Sequence, residues 1–152
     1  MKLAEVLLLR ADMQKKLASL RERIVANAVV QEGDKPHEDP EKLLTEAIGV
    51  ISDLEGLVFR INECNLMNKL PDGRSLTEAI ARRDALIQQH ALLVAALGGT
   101  RREPDRYSVR EIKWVATVDV GKLQAHSDDL AKRIRELNAQ IQETNWRIEF
   151  KE

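Results

Sequence analysis

Residues 39–68 read DPEKLLTEAIGVISDLEGLVFRINECNLMN, and the spacing inside this stretch decides the fold. Leu44, Ala47, Ile51, Leu54, Val58 and Ile61 recur every three or four residues, the period of one α-helical face, and Leu43, Val50 and Leu57 widen it. Asp39 followed by Pro40 supplies an N-cap and a first-turn residue that needs no amide hydrogen. The stretch therefore predicts a long amphipathic helix ending near Asn68, with the broadest apolar face in the chain.

Toward the N-terminus, the polar segment Gln31 to Asp39, with Gly33 and Pro36, reads as a connection. Before it, Leu3, Val6, Met13, Leu17, Leu20 and Ile24 alternate spacings of three and four once Arg10 is counted in the stripe, which predicts a first helix over residues 2 to about 30. Its opening turns are apolar on every side through Leu7, Leu8 and Leu9, more than one partner helix covers.

Toward the C-terminus, Leu70-Pro71-Asp72-Gly73 is a turn, and Ser75 with Glu78 forms a capping box for a third helix that Gly98-Gly99 should stop. Tyr107 to Val118 is ambiguous: Ser108 and Glu111 suit a short helical turn, whereas Trp114 to Val118 favour an extended chain. Asp119 then caps a last helix with the narrow seam Val120, Leu123, Leu130, Ile134, Leu137, Ile141 and Ile148. No internal repeat is evident. The expectation is an all-α, antiparallel four-helix bundle, one domain over residues 1–152, with long coiled-coil-like helices and a short irregular or extended segment before the last.

Composition narrows function. Twenty-four basic and 25 acidic residues are interspersed and leave a net charge of −1, so no basic field favours nucleic acid. The apolar run Val6 to Leu9 is cut by Arg10 before a secretory signal could form, and no stretch approaches the roughly 18 apolar residues of a membrane span. A cytoplasmic protein without membrane or nucleic-acid partners is expected. Cys64 is the only cysteine, and it reads as a small core residue.

The polar residues that a bare scaffold does not need are few. Arg10 stands in the seam of the first helix, where a buried guanidinium would need a carboxylate or several carbonyls unless it snorkels from the bundle end or sets register. Asn62 and Asn65 lie three apart near the end of the second helix, and Arg83, Asp84 and His90 border the apolar stripe of the third. Together they are candidates for a ligand or acid–base site between helices; otherwise they set helix register. His37, His90 and His126 fall in separate segments with no metal-ligand spacing, and no nucleophile or phosphate-cradling motif occurs, so neither metal nor cofactor is expected and catalysis has no visible nucleophile. Gly49 and Gly56, one heptad apart, are unfavourable in a helix unless something packs closely there. With Leu7, Leu8, Leu9, Trp146 and Phe150 they form the expected interface of a homo-oligomer.

As a set, Met1-Lys2-Leu3-Ala4-Glu5, Arg60-Ile61-Asn62 with Asn65, Asp72-Gly73-Arg74, Asp105-Arg106-Tyr107-Ser108, Glu111-Ile112-Lys113, Thr117-Val118-Asp119-Val120 and Asn145-Trp146 resemble the septicolysin-like family of small bacterial proteins. The resemblance implies a helical protein, and the family's name implies a cytolysin. Three readings thus leave the sequence: a homo-oligomeric helical scaffold or interaction protein, a small-ligand binder or enzyme, and a cytolysin.

Overall fold

A computed structural model describes residues 1–101 and 113–151. Four helices follow one another: α1 (Leu3–Asn27), α2 (Pro40–Met67), α3 (Leu76–Gly99) and α4 (Val120–Arg147). The expected all-α fold of the four-helix-bundle class holds, with no strand longer than a single bridge among the described residues. Residues 113–119 are neither helix nor strand, and the expected helical turn around Ser108 and Glu111 lies outside the described residues.

The chain forms two compact units, residues 1–69 with 143–152, and residues 70–142. In the first, α1 and α2 pair antiparallel through Leu20, Leu43, Ala47 and Val50, with Met13, Leu17, Ile24 and Leu54 packed against them. Lys16 meets Glu46 at 2.7 Å, and Arg23 Nε donates to Glu38 at 2.9 Å. The guanidinium of Arg23 holds the Glu38 carboxyl below the usual carboxylate range. Asp39 caps α2 by accepting from the Glu41 amide at 3.0 Å.

The same unit is closed at its ends by pairing that local sequence does not announce. Lys2 and Glu149 form an antiparallel bridge; the Leu3 amide donates to the Ile148 carbonyl at 3.0 Å and the Phe150 amide to the Met1 carbonyl at 2.8 Å. The Lys2 ammonium pairs with Glu149 and depresses its pKa. Phe150, expected at an interface, is instead buried, with the Arg60 guanidinium 5.8 Å above its ring. An aromatic ring with an apolar bed and a cation above it gains more inside the unit than outside.

In the second unit, the turn at 70–74 returns the Leu70 amide to the Arg74 carbonyl at 2.8 Å, with Gly73 at φ +89°. Only a residue without Cβ takes that conformation freely. Ser75 accepts from the Glu78 amide at 3.1 Å, and Glu78 accepts from the Ser75 amide at 2.7 Å, completing the expected capping box. Gly98 and Gly99 do not stop α3 but form its last turn. Thr100 ends it, its hydroxyl donating to the Leu97 carbonyl at 2.7 Å. Glycine costs least in a terminal turn, where few intrahelical bonds depend on it.

The described burial also overturns the expectation that the chain has no internal repeat. Residues 1–27 match 74–100 at a shift of 73, and residues 39–70 match 119–150 at a shift of 80, the second connection being seven residues longer. Twelve of these 59 positions are identical. The buried positions coincide further than the identities: Leu3 and Leu76 are both 0% exposed, Ile61 is 1% and Ile141 2%, and Leu57, Ala47 and Val50 match buried Leu137, Ser127 and Leu130. Capping recurs too. Glu5 accepts from the Lys2 amide at 2.6 Å, as Glu78 does from Ser75, and Asp119 accepts from the Lys122 amide at 3.1 Å, as Asp39 does from the start of α2. Even the Phe150-to-Met1 backbone bond has its counterpart in Leu70 to Arg74, both 2.8 Å. The protein is thus built from two copies of one helical hairpin. If the two aspartates are equivalent caps, Asp39→Ala and Asp119→Ala should each cost about 1 kcal/mol, read as matching shifts in the urea midpoint.

Candidate functional site

The repeat separates positions that shape the hairpin from those that do not. Arg10 matches Arg83, and Asn65 matches Asn145, so the chain carries arginine twice at one seam position and asparagine twice at another. Arg10 is half-buried, and its Nε is a buried donor with no acceptor among the described residues. Such an orphan costs about 1–3 kcal/mol. Arg83, also half-buried, has an acceptor: its Nε and Nη2 reach Asp84 Oδ1 at 3.0 and 2.9 Å.

Of the remaining candidates, Asn62 is exposed and Asn65 half-buried in the first unit, whereas Arg83, Asp84 and His90 belong to the second. Among these described candidates, a hydrogen bond joins Arg83 to Asp84. His90 is half-buried and occupies the repeat position of Leu17, which packs in the core of the first unit. Asn145, only 4% exposed, was not singled out by sequence spacing; the repeat is the signal that finds it. Cys64 is half-buried, and burial raises the pKa of its thiol, which keeps it protonated. Among the described residues no group of three or more His, Cys, Asp or Glu side chains could hold a metal ion.

The second feature is apolar. Leu44, Ile48, Ile51, Val58, Phe59 and Leu66 run down the outer face of α2 and stay exposed, Ile48 and Leu66 at 65% and Phe59 at 62%. Their repeat counterparts in α4 are Gln124, Asp128, Ala131, Asn138, Ala139 and Trp146. The hairpin therefore does not require apolar groups at most of these positions. In α1, Leu8 is 60% exposed and Leu9 44%, against Ala81 and Arg82 in α3, while Leu7 is half-buried. Gly49 and Gly56 match Asp129 and Glu136, and nothing lies within 4 Å of where a Cβ would stand on either glycine. Among the described residues, no helix packs closely on them. Gly56 instead leaves open a shallow groove between α1 and α2, bordered by Leu9, Met13, Leu57, Phe59 and Arg60. Trp146 is exposed as well.

These features define an all-α protein made of a duplicated helical hairpin, whose first copy carries an uncovered apolar face. The chain belongs to DUF6847, a family of unknown function whose model matches residues 10–150. It is also similar, at 36% identity, to a functionally unknown conserved protein from Corynebacterium diphtheriae, whose crystal structure it matches with a TM-score of 0.91 over 99% of each chain. No curated protein matches it. These matches replace the septicolysin-like assignment: neither carries any sign of that family, and the cytolysin reading that rested on its name falls with it. No helix among the described residues is long and apolar enough to cross a membrane.

Proposed function

We propose that this protein is a helical scaffold or interaction protein that works as a homo-oligomer through the outer face of α2 and the exposed start of α1. One observation carries the reading. The same hairpin occurs twice in one chain, and only its first copy keeps large apolar side chains where the second has Gln124, Asp128 and Asn138. Exposed apolar side chains gathered on one face mark an association surface, since scattered ones need no explanation. Binding is then the activity of this face.

Light scattering at micromolar concentration should report a multiple of the 17.2 kDa chain mass. Leu8→Glu should lower that mass with the helical circular dichroism unchanged. A monomer at that concentration would remove the homo-oligomer and leave, at most, a different protein as occupant of the face. A second reading, a small-ligand binder with a polar site, is favoured only by the orphan donor of Arg10.

A further inference from the structure

We propose that Arg10 is a carboxylate-binding position, filled by a carboxylate that the first hairpin does not itself supply. The two hairpins give the comparison. At the repeat position after Arg83 stands Asp84, whose Oδ1 accepts from Arg83 Nε at 3.0 Å; at the position after Arg10 stands Ala11. The arginine is retained, the acid after it is not, and Arg10 Nε is buried without an acceptor among the described residues. Buried guanidinium donors need acceptors, and a planar fork of N–H groups fits a carboxylate best.

Three acids of the first unit are already engaged. Glu5 accepts from the Lys2 amide, Glu149 pairs with Lys2 and the terminal ammonium, and Glu143 pairs with Arg147. Arg10 stands in α1 of the first unit, one turn after the buried Val6. A buried guanidinium N–H without an acceptor suits a small carboxylate: the guanidinium supplies the charge, and its planar fork the paired donors.

The carboxylate can come from a small organic acid or from a side chain of a second copy, and the test separates the two. Three proteins are compared: wild type, Arg10→Met, and Ala11→Asp, which installs the acid of the second hairpin in the first. Ala11→Asp should raise Tm by about 2 °C or more, since it gives Arg10 its acceptor. With a free acid as source, succinate raises the Tm of wild type above that in chloride of equal ionic strength, and both variants lose the increment. With a second copy as source, succinate has no such effect and both variants lower the mass seen by light scattering. The proposal is overturned if Ala11→Asp leaves Tm unchanged or lowers it, or if neither variant alters the succinate response or the mass.

Discussion

Ile48→Glu should dissociate the assembly while leaving the helices intact. Ile48 stands near the start of the apolar run on α2 and is exposed in the single chain, so a glutamate there meets water in the monomer and costs little. In an interface the same change removes about 2 kcal/mol of apolar burial and adds a desolvated charge, which together weaken association at least about a hundredfold. The second hairpin provides the control. Its Asp128, at the position of Ile48, shows that an acid is compatible with the hairpin fold. A variant that kept the wild-type mass with a folded spectrum would place the interface elsewhere.

The largest loss of stability is expected from Ile61→Ala and, equally, from Ile141→Ala. Both residues are essentially inaccessible, and each truncation removes three carbons from a packed seam. A cost of about 2–5 kcal/mol follows for either, lowering Tm by on the order of 10 °C in a chain of this size. What is specific to this protein is the match. If one variant lost more than about 3 kcal/mol and the other less than about 1, the two positions would not be equivalent and the duplicated-hairpin reading would fail.

Much of the fold can be read from short-range chemistry. Asp39 with Pro40, Ser75 with Glu78, and Asp119 each bond to amides two or three residues away, so sequence spacing contains the whole cap, and the helix starts follow. The Lys2–Glu149 bridge is different, because its partners are 147 residues apart and no local pattern links them. Phe150 illustrates the same limit: an aromatic at a helix end has the pattern of an exposed anchor until the distant Arg60 and the N-terminus are known to cover it.

The repeat was hidden for another reason. The connection between the helices gains seven residues in the second copy, so the shift changes from 73 to 80 and no single offset aligns the chain. Several matched core positions are swaps among apolar residues, such as Val50 for Leu130 and Leu54 for Ile134, which share burial but not identity. The candidate site was legible to the extent that Arg10, Asn65 and Arg83 stood out as polar groups in apolar seams. Asn145 did not, since it sits beside Trp146 at a helix end where amides are common. The apolar face of α2 was visible as an excess of hydrophobic residues, but only the structure divides that excess into the part facing α1 and the part left uncovered.

The backbone bond from Phe150 to Met1 carries a topological consequence. Its counterpart, Leu70 to Arg74, has the same length and is spanned covalently by Pro71, Asp72 and Gly73. Three residues are therefore enough to join Phe150 to Met1 without disturbing either hairpin. A chain so joined could be cut instead inside the 71–73 turn, and the order of the hairpins along the polypeptide would be exchanged while the helix caps and the core of each hairpin stayed as they are.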